Sequence, residues 1–268
     1  MALFRALESR APAGERLVFD PEAERFLSPR LRAVVVAARV PALRRATVRI
    51  IDERWPGPRL SGVVRTKVID DFVLATMSGG AVQLVLLGAG YDTRASRLAL
   101  PPGTSVFEID HPLTQARKRD RRRRCSREIS YLPVDFEREG LAEALRRSSF
   151  VPGIPSCVIW EGVFSYLTAE AIDATLAALR ELCAPESRLL LTYIAESALE
   201  RPSAWVRAVV DAGEPFRTTL TPASSLSFFA ERSMSLLNDE STREAALRLG
   251  VADAETIPDF YRLATLAF

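Results

Sequence analysis

One histidine, three cysteines, and 36 basic against 34 acidic side chains in 268 residues leave several chemistries without material. A zinc site or a Ser-His-Asp relay relies on imidazoles, and the chain offers only His111, so no metal ligands are assigned. Cys125, Cys157 and Cys183 show no paired spacing and are odd in number, which suits free thiols in a reducing compartment. A net charge of +2 gives no nucleic-acid footprint. No apolar run is long enough to span a bilayer, and Met1 to Arg10 carries charges where a signal peptide has its apolar core. The expectation is a cytoplasmic protein with a small-molecule partner and neither nucleic acid nor membrane. Nothing in the sequence fixes an oligomeric state.

What is also missing is the third glycine of a dinucleotide fingerprint. Val82 to Leu87 is a nearly unbroken apolar run, the pattern of a parallel strand covered on both faces. Gly88 and Gly90 then allow a tight turn with bare backbone against a ligand. A pyrophosphate site wants Gly-x-Gly-x-x-Gly, and here the last position is Thr93. No Gly-Lys-Ser/Thr follows the turn, so a triphosphate meets no P-loop lysine. A cofactor without phosphates fits better, S-adenosylmethionine above all. The next strand, Ser105 to Asp110, supports this by ending in a carboxylate about 20 residues past the glycines, the spacing at which an acid reaches a ribose.

The strands and helices around this turn predict an α/β, doubly wound fold. Further strands are expected at Ile129 to Val134, Cys157 to Trp160 and Ser187 to Ile194, then a short one near Met234 to Leu237 and a last one at Tyr261 to Phe268. Together they make a seven-stranded, mostly parallel sheet closed by a hairpin. Residues 1–60 lack strand alternation and read as an N-terminal helical cover over a domain at 61–268, with a lid-like insertion at about 196–220. Helical patches include one after Asp20-Pro21, another from Leu31 to Ala46 interrupted at Pro41, and Gly62 to Met77. The arginine run Arg121 to Arg124 has no interleaved aromatic residues and reads as a solvated helix face.

Several residues have two readings. Arg65 can clamp a carboxylate, or stand on a solvated face beside the i, i+4 pair of Lys67 and Asp71. Asp135 and Phe136, at a strand end, can hold a purine, or Asp135 can cap the next helix. Glu161 and Tyr166 follow a strand whose carboxyl end lines the ligand crevice. His111 is a candidate base or a turn residue.

Five elements in order then resemble the leucine carboxyl methyltransferase family, in particular its short bacterial branch that includes polyketide O-methyltransferases of the tetracenomycin type. They are Arg65-Thr66 with Asp70-Asp71, Leu87-Gly88-Ala89-Gly90-Tyr91-Asp92-Thr93-Arg94, Glu108-Ile109-Asp110-His111-Pro112, Val134-Asp135-Phe136, and Glu161-Gly162-Val163 with Tyr166-Leu167. The resemblance implies a class I S-adenosylmethionine-dependent methyltransferase fold. It implies that Arg65 binds the cofactor carboxylate, that Gly88 and Gly90 pass beneath its methionine part, and that Asp110 holds the ribose. Asp135 and Phe136 would surround the adenine, and Glu161 would meet the amino group.

Methyl transfer from a sulfonium mainly requires alignment and exclusion of water. A carboxylate acceptor is already ionised at neutral pH, whereas a phenol needs a base, for which His111 and Tyr166 are the candidates. The leading expectation is O-methylation of a small specialised metabolite. The alternatives are carboxyl methylation of a peptide or protein C-terminus, received by arginines such as Arg201, Arg207 and Arg217, or a cofactor-binding partner subunit without transfer activity.

Overall fold

The apolar runs form the middle of a seven-stranded sheet in the computed structural model, which describes residues 1–121, 127–200, 202–211, 213 and 215–268. The strands are β1 (Gln83–Leu87), β2 (Ser105–Asp110), β3 (Ile129–Pro133), β4 (Ser156–Trp160), β5 (Arg188–Ile194), β6 (Ser235–Ser241) and β7 (Tyr261–Ala267). Their order is β3-β2-β1-β4-β5-β7-β6. β1 to β5 are parallel, and β7 lies antiparallel between β5 and β6. The strand order switches between β1 and β4, which opens a crevice at their carboxyl ends.

Ahead of the sheet come α1 (Ala2–Glu8), α2 (Pro29–Ala37), α3 (Pro41–Arg54) and α4 (Pro58–Ser78). The parallel strands are linked by α5 (Arg94–Arg97), α6 (Pro112–Arg121), α7 (Leu141–Arg146) and α8 (Ala169–Leu182). After β5 come α9 (Ser197–Glu200), α10 (Ala204–Asp211) and α11 (Pro222–Glu231), and α12 (Thr242–Arg248) stands between β6 and β7. Side chains alternate across the pleat, so each strand feeds two cores. Leu84, Leu86, Cys157 and Ile159 pack with Ile69, Val73 and Met77 of α4 on one face. Val85, Leu87, Val158 and Trp160 pack with Leu145 of α7 and Ile172, Leu176 and Leu179 of α8 on the other. Burial pushes the thiols of Cys157 and Cys183 up to about 12, so both stay protonated.

The structure differs from the sequence expectations at the edges. The helix expected after Asp20 is a single 3-10 turn, Ala23–Phe26: one Asp20 oxygen accepts from the Glu22 and Ala23 amides, while the other is taken by Arg5 and Thr93. The patch from Leu31 to Ala46 is two helices, with Pro41 opening α3, which continues to Arg54. A boundary at 61 would cut α4, which starts at Pro58. The strand near Met234 extends to Ser241 although its sequence is polar, because β7 supplies the ladder and Arg262 the counter-charge for Asp239. The last two strands are not joined as a hairpin, since α12 and a 3-10 turn intervene and β7 takes the inner place. Within 196–220 the chain forms α9 and α10 and then returns to the sheet, where Leu220 bridges Ala195. Arg122 to Arg124, Cys125 and Arg201 lie outside the described residues. Among the described residues, no helix is long and apolar enough to cross a membrane.

Candidate functional site

The turn after β1 is built on close approach. Gly88 has φ +63°, and a Cβ there would lie 2.2 Å from Val163 Cγ2, so the turn leaves no space for a side chain. The Gly90 amide, two residues on, donates to Asp110 Oδ2 at 2.5 Å, and the His111 amide donates to Asp110 Oδ1 at 2.7 Å. The end of β2 thereby holds the glycine turn of β1. Burial raises the Asp110 carboxyl above its ordinary value, and those two amides only moderate the rise.

Beside the turn lies an ion cluster assembled from four separate parts of the chain. Arg65 of α4 donates from Nε to Glu161 Oε1 at 2.7 Å. Arg94 of α5 donates to Asp70 Oδ1 at 2.8 Å, Asp92 Oδ2 at 2.5 Å and Glu161 Oε2 at 2.8 Å. Arg97 spans both oxygens of Asp70 at 2.6 Å each. From the N-terminal cover, Arg5 donates to Asp20 Oδ2 at 2.8 Å and to the Tyr91 carbonyl at 2.7 Å. Thr93 Oγ1 donates to the same Asp20 oxygen at 2.7 Å. Arg5, Arg65, Arg94 and Arg97 are thus matched by Asp20, Asp70, Asp92 and Glu161, and the cluster is neutral.

Neutrality does not leave the members at their ordinary acidities. Burial pushes the Glu161 carboxyl up, but the guanidiniums of Arg94 and Arg65 overcome it and hold the group well below the usual carboxylate range. For Asp92, burial is likewise outweighed, by Arg94 and then Lys118, and the carboxyl is lowered. Burial also opposes the charge of Arg94, yet Asp92, Glu161 and Asp70 raise it well above its ordinary value.

A cavity of about 240 Å³ opens on this cluster, lined among others by Arg5, Arg65, Gly88, Gly90, Arg94 and Glu161. A guanidinium and a carboxylate side by side suit a ligand with a zwitterionic end. Among the described residues no lysine lines the cavity, so it lacks the point charge of a triphosphate site. The donor set and the bare backbone at Gly88 therefore fit the amino acid end of a phosphate-free cofactor.

Four of the expected cofactor residues, Arg65, Gly88, Gly90 and Glu161, meet in this cavity, and Asp110 is joined to it through Gly90. Asp135 and Phe136 stand outside the lining, on the loop after β3, where Asp135 Oδ1 accepts from the Glu137 amide and Phe136 packs 6.5 Å from Trp160. His111 is exposed, and its Nδ1 accepts from the Leu113 amide at 3.3 Å, the place of a cap at the start of α6. Tyr166 packs 5.3 Å from Phe216 and lines a separate open cleft of about 680 Å³ with Val163, Pro215 and Arg217. The two spaces share Gly162.

Asp70, Arg94 and Arg97 received no role from the sequence, and Asp20 only that of capping the turn that follows it. The unusual Asp92-Thr93-Arg94 continuation after the glycines was the available signal for Arg94; the pairing of Asp20 with Arg5 and Thr93 had none, because these partners lie 15 and 73 residues away.

Several known proteins are similar to this chain. A Frankia alni protein named "Putative S-adenosyl-L-methionine-dependent methyltransferase" is 38% identical over 154 residues, 55% of this chain and 53% of that protein. A Mycobacterium tuberculosis protein of the same name is 36% identical over 206 residues, 70% of this chain and 55% of that protein. The chain spans about half the length of these curated relatives. The crystal structure of "a putative methyltransferase" from Thermobifida fusca superposes with a TM-score of 0.59 at 19% identity, covering 84% of this chain and 88% of that one. With the strand order above, that likeness makes the fold that of class I S-adenosylmethionine-dependent methyltransferases. The model of the family described as leucine carboxyl methyltransferase matches residues 1–180, and the chain belongs to that family.

Proposed function

We propose that the chain is an S-adenosylmethionine-dependent O-methyltransferase that modifies a carboxylate or phenol of a small specialised metabolite, as the resemblance to tetracenomycin-type enzymes suggests. The observation that carries this reading is the Arg65–Glu161 pair, 2.7 Å apart and next to the glycine turn in one cavity. The sulfonium methyl supplies the electrophile and its own leaving group. The chain then has to bind, align and keep water out. Arg65 receives the cofactor carboxylate, Glu161 the ammonium, and the backbone at Gly88 and Gly90 passes beneath the methionine segment. Asp110 takes the ribose hydroxyls, with Asp135 and Phe136 beyond it for the adenine. The names of the two bacterial relatives support this choice of cofactor.

The acceptor enters through the cleft of Tyr166, which meets the cofactor cavity at Gly162. Val163 and Pro215 favour an apolar body there. Arg217 on the rim is engaged by both oxygens of Glu137 at 3.0 Å, and Arg207 donates to the Pro202 carbonyl. Neither is held ready for a peptide carboxylate, which supports the small acceptor over a protein C-terminus. An acceptor carboxylate is ionised at neutral pH and needs no base; for a phenol, Tyr166 is the candidate at the cleft, while His111 faces solvent.

Calorimetry with S-adenosylmethionine and S-adenosylhomocysteine tests the reading. Micromolar binding by the wild type, weakened roughly 10- to 100-fold in Asp110→Ala by loss of charged hydrogen bonds, is expected. A wild-type protein that binds neither ligand would sink it.

A further inference from the structure

The side chain that completes the Arg65 site comes from the far end of the chain. Tyr261, the first residue of β7, lays its ring against the Arg65 guanidinium, 4.3 Å from centroid to Cζ. Its hydroxyl is 3.3 Å from Thr192 Oγ1 on the neighbouring strand β5, and Thr192 Oγ1 accepts from the Gly162 amide at 2.8 Å. The ring is therefore anchored to the same loop that carries Glu161. Arg65 meets Glu161 along its Nε edge and Tyr261 on its flat face. Glu161 takes the Nε edge, so the two Nη groups are the donor pair that this cavity-lining side chain has to offer a ligand. Those two parallel N–H donors are the pair that a carboxylate takes in bidentate fashion. A long side chain free to rotate would offer that fork only part of the time. With one edge and one face fixed, the fork is aimed before the ligand arrives.

We propose that Tyr261 is a positioning residue for the cofactor's carboxylate: its ring, pinned through Thr192 to the Gly162 backbone, fixes the Arg65 guanidinium in its receiving orientation. The proposal rests on the cofactor reading above. Tyr261 acts through Arg65: the ring face makes the main contact, and the hydroxyl, held at Thr192, only steadies the ring. The hydroxyl stays protonated, because burial raises it above its ordinary value and Arg65 only partly opposes this.

Two ligands separate positioning from general support. S-adenosylhomocysteine carries the amino acid end, whereas 5′-methylthioadenosine has the same nucleoside and sulfur without it. Calorimetry on the wild type, Tyr261→Leu and Tyr261→Phe gives the comparison. In Tyr261→Leu, S-adenosylhomocysteine should weaken about 5- to 30-fold, the worth of a desolvated cation–π contact. Binding of 5′-methylthioadenosine should stay within about 2-fold, and Tyr261→Phe should restore most of the loss, since it keeps the ring. Equal weakening of both ligands in Tyr261→Leu, or unchanged binding of both, overturns the proposal. So does a Tyr261→Phe variant as weak as Tyr261→Leu. If the wild type binds neither ligand, the cofactor reading itself has failed and the proposal falls with it; if the wild type binds and Tyr261→Leu matches it, only the role of Tyr261 has failed.

Discussion

Arg65 and Asp70 on α4 point into the molecule, whereas Lys67 and Asp71 on the same helix point to solvent. Both faces carry one cation and one anion, and the sequence presents them as a single polar patch. On the outer face, Lys67 Nζ lies 2.6 Å from both Asp71 oxygens, with the two side chains 32% and 51% exposed. On the inner face, the two residues do not pair with each other at all. Arg65 crosses to Glu161, 96 residues away, and Asp70 takes Arg94 and Arg97. Short distances are common to both faces, so distance alone does not rank them. What differs is dielectric and the number of partners. An exposed pair is screened and gains little, whereas removing one member of a buried pair strands its counter-charge.

The largest expected effect follows from that difference. Arg94→Ala leaves Asp70, Asp92 and Glu161 without their shared cation and should destabilise the protein by about 3–5 kcal/mol, read by urea denaturation. A loss under about 1 kcal/mol would mean that the cluster is hydrated and that the two faces are alike.

The acid limb of stability comes next. The folded-state pKa of Glu161 lies below its ordinary value of 4.5, so its contribution is present above about pH 4.5 and is lost as pH falls into the acid range. Melting temperatures measured from pH 7 down to pH 3 should fall less steeply in Glu161→Gln than in the wild type. Parallel profiles would show that Glu161 is not held ionised by Arg94 and Arg65.

The smallest effect belongs to the outer face. Lys67→Ala should change stability by about 0.3–0.5 kcal/mol and diminish further in high salt. A change of several kcal/mol would remove the contrast from the other side.

How much of this was legible depends on the distance over which each signal acts. The strands β1, β2, β4 and β5 were visible because burial on both faces writes itself into consecutive apolar residues. The cap of α8 is a signal of the same short range, since Thr168 Oγ1 accepts from an amide three residues on. The glycine turn was visible because only glycine tolerates φ +63° with Val163 against it. β6 was read too short because its Asn238, Asp239 and Glu240 favour strand only through β7 and Arg262. Arg65 looked like half of a solvated face until its motif was placed among four others. His111 was readable as a base or as a turn residue, and it stands exposed in the turn at the start of α6.

The sequence by itself determined the parallel core, the glycine turn, the absence of a phosphate-binding lysine and the order of the five family elements. All of these are local patterns of burial, backbone freedom and spacing. Only the tertiary structure decided which charges pair and which residues aim them. Asp20 joins the N-terminal cover to the turn after β1, and Arg94 gathers three carboxylates. Tyr261 reaches Arg65 from the last strand. Such pairings are fixed by the crossing of α4, the loop after β4 and the inserted β7 in space, and no periodicity along the chain records that crossing.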